Sequence, residues 1–566
     1  GKYKLYVLQD GIYRIYYDSL AQQAGFPQSS IPNRSITLKN KNQAIPIYVS
    51  DGGDAEFDEG DYFDFIGRQN LFQGSTQYYD PYSDINVYWL DWGGADGLRF
   101  VDESGALTEL DPVRPTSFWD EIHIEEDNDF ERLGQVDTDL PSSTRDHYFW
   151  ESVNSGVTKE VGFFLADPFR GSSENVEITV GLHGLTYSDK PGEVSGHTLF
   201  AFLNDNSIGD ASWTQQEEYE LESPAALNLS HNILSADGEN TLAIFAPVSS
   251  EAGNYDKIVL NWVEIGYEHL LRAQNNALRF RKSMINPSTN LEFEIKGFTA
   301  HELLIYKEGV SRITGYSIRE NWDGGAPEYS LVFQDQVTEA TPDYWVASVD
   351  GVLQPVSILA DTVASLREQD GDFIVLTIPD FMDGLEEYLD FKRGEGWHPI
   401  AVSVADVYDE FNSGISSPIA IKSFLRYANN HWPSQPEYLL LLGDAIANPQ
   451  QAKRDTRLIN IPTYYMQTYG WGAAEADYWY SLINGNDYLP DLNIGRVPCS
   501  DREDLEISLE KLIRYGSMEN YGSWQNELIT IAGFDTVFKS QSQSLLENAV
   551  PKAFMPSRIF IDRDSE

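Results

Sequence analysis

The sequence predicts a multidomain protein in which N-terminal all-β domains, one of them a jelly-roll-like sandwich, precede an α/β domain with a mainly parallel sheet. Three observations carry this. Up to about residue 370, short β runs alternate with Gly, Pro, Asn and Asp turn signals. From 371 onward, nearly continuous apolar runs alternate with capped helical stretches, as in strands buried on both faces. The length of 566 residues corresponds to roughly three to five domains.

Residues 1–115 form the first β domain. Its strands include Tyr3–Leu8, Gly11–Tyr17 and Ile45–Val49, with one short helix near Ser19–Gly25. The acidic stretch 116–145 follows Pro112 and Pro115, contains Pro141, and reads as a linker. Residues 146–272 space their strands regularly: Glu160–Leu165, Val176–Val180, His197–Leu203, Thr241–Phe245 and Ile258–Ile265. That spacing, with Asn, Asp and Gly turns, predicts the sandwich. A smaller β domain occupies 273–370, with strands at Glu302–Tyr306, Tyr329–Phe333 and Tyr344–Ser348.

In the α/β domain, 371–566, strands are expected near 373–378, 399–404, 438–443, 492–497 and 528–532. Ser417 followed by Pro418 starts a helix whose apolar stripe is Ile421, Phe424, Leu425 and Ala428. Ser500 with Glu503 predicts a capping box for the next helix. Strand–helix alternation of this kind gives a parallel sheet with helices on its faces.

Composition narrows the function. The formal charge is −50, a field that repels phosphate backbones and anionic lipid, so nucleic acid is not an expected partner. No run approaches the ~18–20 apolar residues of a membrane helix. The single cysteine, Cys499, leaves no intrachain disulfide. Residues 1–11 read as a strand and turn rather than a leader, and the chain stops just after the strand-like Arg558–Ile561, which reads as a cut chain.

In a doubly wound sheet, ligands bind outside the carboxyl ends of the strands. Those ends bring Asp444, Cys499 and Asp535, and the insert after the third strand brings Asp477, Trp479 and Tyr480. Phosphate-binding Gly-rich loops and the G-x-S-x-G elbow are missing from the sequence. Cys499 needs a base to act as nucleophile, yet His398 and His431 belong to the amino edge of the sheet and no histidine follows His431. A buried structural cysteine is the ordinary reading. The turn Asp51–Asp61 gathers six carboxylates. Calcium is the candidate cation, with Asp51, Asp54, Asp58 and Asp61 as ligands, although Glu56 and Tyr62 break the EF-hand pattern. The alternative is a solvated acidic hairpin.

The stretch Asp406–Ile415 followed by Pro418–Leu425 resembles the gingipain-type cysteine peptidases of the caspase-like clan. Leu440–Asp444, Asp477 with Tyr480, Gly485–Asp487, Ile494–Arg496 and Cys499 match that family's pattern in order and spacing, over about 375–548. Upstream, Asp10–Arg14, Gly60–Phe65, Asp80–Asp84, Asn86–Leu90 and Asp256–Val259 are similar to the secreted multidomain members, the type IX secretion sortase among them.

The resemblance implies a caspase-like α/β fold, an extracellular or cell-surface location, a protein or peptide substrate and a Cys–His dyad. The family's histidine lies in a His-Gly turn and its cysteine after a later strand. Neither occurs here, and Cys499 matches a non-catalytic family cysteine, so no catalytic residue is assigned. The resemblance places Gln543 where arginine-specific members have the aspartate of their specificity pocket. Substrate-contact candidates are therefore Gln543, Asp477, Tyr480 and Asp444. The expected function is the N-terminal and early catalytic region of a secreted cysteine endopeptidase, with the remaining C-terminal part of the same precursor as candidate partner and no required cofactor. The rival is a cell-surface binding or assembly protein that uses the β-sandwich, with the α/β domain as a non-catalytic scaffold.

Overall fold

The computed structural model describes residues 2–23, 25–27, 29–72, 78–134, 146–187, 196–248, 256–281, 289–322, 325–337, 342–361, 364–446, 453–455, 457–468, 471–517 and 522–561. The chain divides into two compact units: Gly1–Met382 with His398–Pro498, and Asp383–Trp397 with Cys499–Glu566.

In the first unit the N-terminal strands are woven together with distant ones. A five-stranded antiparallel sheet runs Ser357–Ala360, Lys2–Val7, Asn86–Asp91, Thr37–Asn40, Gln43–Ile45. A second sheet joins Val101–Ser104 in parallel to Ser311–Thr314, then continues through Leu303–Lys307 and Tyr344–Ser348 to Ala277–Phe280. Segments 1–115 and 273–370, read as separate domains from their linear strand runs, thus share sheets. Alternating apolar residues announce a strand but not its partner. A buried ion pair seals the junction. Arg14 Nε and Nη2 donate to Asp64 Oδ1 and Oδ2 at 2.7 and 2.8 Å, and the Tyr306 hydroxyl donates to Asp64 at 3.0 Å.

A five-stranded and a four-stranded antiparallel sheet enclose the next core, the fifth strand of the first being Glu151–Asn154, which also pairs with Lys257–Leu270. One runs Ser117–Glu125, Lys257–Leu270, Glu177–Gly184, Glu218–Glu222, and the other Thr158–Phe164, Glu239–Phe245, Gly196–Leu203, Asn206–Thr214. Val180, Leu182, Val263 and Ile265 of the first meet Val161, Leu199, Leu242 and Ile244 of the second. The proposed linker 116–145 is corrected here: Ser117–Glu125 pairs along its whole length with Lys257–Leu270. Glu121 and Glu125 lie on its outer face and alternate with Ile122 and Ile124, which pack against the core, while Asp120 meets His269. Pro141 lies outside the described residues.

The α/β part has the strand order Pro399–Ser403, Phe373–Thr377, Tyr438–Leu442, Asn493–Val497, every pair parallel. Phe373–Thr377 is buried throughout, as its unbroken apolar run requires. Ser403 and Ser417 accept hydrogen bonds from the first turns of the helices Val404–Asn412 and Pro418–His431.

The second unit holds the helices Glu386–Gly394, Arg502–Gly516 and Thr536–Asn548. The fifth expected strand, Glu527–Ala532, pairs in parallel with Met555–Phe560 in a two-stranded sheet rather than extending the four-stranded ladder. The expected cap at Ser500 moves one residue: Asp501 accepts from the Asp504 N–H at 2.9 Å, while Ser500 Oγ donates to the Asp504 carboxylate at 2.7 Å. A carboxylate at the N-cap satisfies a free N–H and also suits the helix dipole.

Candidate functional site

The site is built at the carboxyl edge of the four-stranded sheet. Tyr438–Leu442 ends there at Gly443, whose φ of +151° places it where side chains are disfavoured. Asp444 follows it, with its carboxylate exposed and accepting the Ala445 N–H at 2.9 Å. The chain then makes its long excursion and returns through the short helix Asp477–Ser481 to the strand Asn493–Val497.

Arg496 ties these parts together. Its Nε and Nη2 donate to Asp477 Oδ2 and Oδ1 at 2.6 and 2.7 Å. Its Nη1 donates to the carbonyls of Gly443, Ile461 and Asp444 at 3.0, 3.1 and 3.4 Å. A planar guanidinium can satisfy a carboxylate in bidentate fashion and still reach backbone oxygens, whereas a lysine cannot. Asp477 is thereby engaged with Arg496 and holds the sheet edge.

Tyr480 is fully buried and donates to the Pro462 carbonyl at 2.5 Å. Burial pushes its hydroxyl pKa up. It is a core group, and its reading as a substrate contact is corrected. Gln543 lies in the second unit on the helix Thr536–Asn548, where its amide donates to Glu547 one turn on. Asp535 caps that helix by accepting the Val537 N–H at 2.9 Å. Asp444 is the one candidate whose carboxylate stands exposed at the strand end.

Cys499 is 1% exposed and lies in the second unit. The two α/β histidines lie in the first. His398 immediately precedes the strand Pro399–Ser403, and His431 stacks on Tyr427 with ring centres 4.2 Å apart.

The acidic turn uses its side chains on itself. Asp51 accepts from the Gly53 N–H at 3.0 Å and from Asn33, Asp54 from the Glu56 N–H at 2.9 Å, and Asp61 from the Asp58 N–H at 2.9 Å. Among the described residues no three acidic, His or Cys groups converge as a metal-holding set. The expected ligand set Asp51, Asp54, Asp58 and Asp61 is therefore not assembled as a site. Asp and Asn cap turns of this kind through their own backbone, which accounts for the cluster without a cation.

Sequence reasoning named Arg496 only as part of a motif and gave it no role. The signal was a lone arginine closing the otherwise uncharged strand Asn493–Val497, where a buried charge needs a partner. It also passed over Lys422. This residue lies 5% exposed on the helix Pro418–His431, with its ammonium 3.7 Å from the centre of the Trp479 ring. Burial, aided by Arg426, pushes its pKa down to about 7. A lysine beside the apolar stripe of a helix was the available sign.

Three comparisons bear on this geometry. The sequence profile of peptidase family C25 matches residues 366–566. Gingipain R2 of Porphyromonas gingivalis is 24% identical over 170 residues, covering 29% of this chain and 20% of that protein. Gingipain R1 of the same organism is also 24% identical over 170 residues, 14% of its length. The solved structure of dimeric latent PorU from Porphyromonas gingivalis superposes with a TM-score of 0.58 at 14% identity, over 93% of this chain and 50% of that one. The chain thus spans about a fifth or less of these gingipains and half of PorU. The likeness to PorU shows the fold, β region included. Residues 366–566 thus match the profile of peptidase family C25 and are similar to the gingipains.

Proposed function

We propose that this chain is the N-terminal and early catalytic region of a secreted gingipain-type cysteine endopeptidase, sortase-like in the manner of type IX secretion, whose Cys–His dyad is supplied by sequence following residue 566. On this reading the β-sandwich is a jelly roll, the α/β part is caspase-like, and the substrate is a polypeptide.

One observation carries the proposal beyond family membership. In the second unit Ile529 and Ile531 of one strand, Ile559 of its neighbour and Phe534, Val537 and Phe538 at the start of the following helix are each at least half exposed. An apolar surface of this kind on an α/β half-layer is what a further layer of the same domain covers. The sequence agrees, since no histidine follows His431 and the one cysteine is buried. In the complete enzyme the cysteine thiol would give its proton to the histidine and attack the scissile carbonyl, backbone N–H groups would hold the oxyanion, and collapse would expel the amine, protonated by the histidine, leaving a thioester that water hydrolyses.

Peptide hydrolysis by purified 1–566 and by the complete gene product tests this. Turnover is expected from the complete product alone. Turnover by 1–566 that disappears in Cys499→Ala would overturn it.

A second reading, a binding or assembly role for the sandwich, is favoured by the outer face of its first ladder. Trp119 and Trp262 lie flat over Gly266 and Gly181, where a Cβ would sit 2.5 and 2.4 Å from the indole carbons. Beside Trp262 a groove of about 420 Å³ is lined by Tyr78, Glu218, Glu220 and Glu264 among others. Sugar or peptide binding by the complete product that is lost on Trp262→Ala, with no peptidase activity, would favour this reading.

A further inference from the structure

Between the helix Pro418–His431 and the insert after Tyr438–Leu442 lies a cavity of about 160 Å³. Lys422, Ser423 and Arg426 line one side, and Tyr464, Trp479 and Asn486 the other. The Tyr464 and Trp479 rings stack at 3.8 Å with 11° between their planes, which makes a rigid wall. Lys422 reaches in beside that wall and meets the indole face at 3.7 Å. Its ammonium carries three donors, yet among the described residues it makes no hydrogen bond and no ion pair. Arg426 uses its Nε on the Ile483 carbonyl at 3.0 Å. Asp487 also borders the cavity, but its carboxylate accepts the Leu489 N–H at 2.9 Å and pairs with neither cation.

Asp491 attracts the ammonium without pairing directly with it, its carboxylate accepting the Ile483 and Asn484 N–H groups; a buried ammonium with no directly paired anion is an expensive arrangement, and a protein keeps it when a ligand supplies the missing charge. The position fits a substrate. The same short helix, Asp477–Ser481, gives Trp479 to this cavity and Asp477 to the Arg496 clamp at the sheet's carboxyl edge. The volume holds one side chain or a chain end, not a larger ligand.

We propose that this cavity is a carboxylate-binding subsite, in which Lys422 and Arg426 receive a carboxylate of a bound polypeptide while Trp479 packs against the adjoining methylenes. The inference deepens the polypeptide-substrate reading and rests on it. The carboxylate has two sources, an Asp or Glu side chain or the chain's own C-terminus. A bound anion would raise the depressed Lys422 pKa again, because a paired ammonium favours the charged form.

The test is a binding measurement on 1–566, independent of turnover. Calorimetry would use four short probes of matched length: interior Glu or Gln with an amidated end, and interior Gln with a free or amidated C-terminus. At least tenfold tighter binding of one acidic probe over its neutral counterpart is expected, and the arm that shows it identifies the source. Lys422 acetylation by acetic anhydride at pH 8, followed by mass spectrometry, should slow at least fivefold with that probe bound. Lys422→Met should abolish the acid preference while raising the thermal midpoint, and Arg426→Gln should weaken it. Equal binding of all four probes, unprotected Lys422, or an acid preference retained in a folded Lys422→Met would overturn the proposal. A Glu-selective site in a protein whose complete form has no peptidase activity would support the subsite and sink the enzyme reading.

Discussion

Asp477→Ala should loosen the carboxyl edge of the parallel sheet. The substitution removes both acceptors that Arg496 Nε and Nη2 reach at 2.6 and 2.7 Å. Side-chain exposure is 12% for Arg496 and 26% for Asp477, so the guanidinium it leaves behind is largely dry. Orphaning a buried charge costs about 3–5 kcal/mol. Nη1 keeps three carbonyl partners and Asp477 is a quarter exposed, which brings the expected cost to about 2–3 kcal/mol. Expressed as local opening, that is roughly 30- to 150-fold faster exchange. Hydrogen-exchange mass spectrometry on peptides covering Tyr438–Leu442 and Asn493–Val497 reads it directly. Replacing both partners, Asp477→Leu with Arg496→Met, should restore most of the protection, because an apolar pair leaves no charge behind. Unchanged exchange in Asp477→Ala, or a double variant as open as the single one, would refute the reasoning.

Lys422 gives a pH-dependent prediction. Its folded pKa is lowered from 10.5 to about 7, so between those values the unfolded chain binds the extra proton and stability falls as pH falls. The gain in melting temperature of Lys422→Met over the parent should therefore grow from pH 10 to 7, reach at least about 2 °C and level off below; a gain that shrinks toward pH 7 contradicts it. Asp54→Asn with Asp58→Asn should leave calcium calorimetry of 1–566 unchanged, since these carboxylates do not converge; a lost binding isotherm would place a site there. Arg14→Met should destabilise the first unit by about 3 kcal/mol, because it strands the buried Asp64 carboxylate; a melting temperature within 1 °C of the parent would show the pair to be dispensable. On the proposed peptidase reading, with Gln543 at the specificity pocket, no charge meets a basic side chain and no demand for Arg or Lys before the cut is expected. A strong basic preference lost on Asp535→Asn would reverse that.

The local grammar was legible. Phe373–Thr377 and Tyr438–Leu442 read as strands buried on both faces because they are unbroken apolar runs. Ser417 followed by Pro418 marked a helix start because a side-chain acceptor and a missing N–H both suit a first turn. What failed was non-local. Ser357–Ala360 completes the sheet of Lys2–Val7 across most of the chain, and no periodicity reports such a partner. The strand Ser117–Glu125 was hidden because its outward face is acidic, so composition overruled alternation. In the site, Asp477 was singled out as a substrate contact, and its pairing with Arg496 was not foreseen. A carboxylate at a strand-end insert reads the same whether it faces a substrate or an arginine 19 positions on. Tyr480 shows the same limit, since a tyrosine in an insert gives no sign of whether it is buried.

The account stands or falls on where the reactive cysteine is. Treating 1–566 and the complete gene product with iodoacetamide at neutral pH, and locating the label by peptide mass spectrometry, answers this directly. A low-pKa catalytic thiolate alkylates fast, whereas a buried thiol does not. The account predicts that Cys499 stays unmodified in both forms of the folded protein, while a cysteine after residue 566 is labelled rapidly with loss of peptidase activity. Rapid labelling of Cys499 in 1–566, or a complete product without any fast-reacting cysteine, would contradict it.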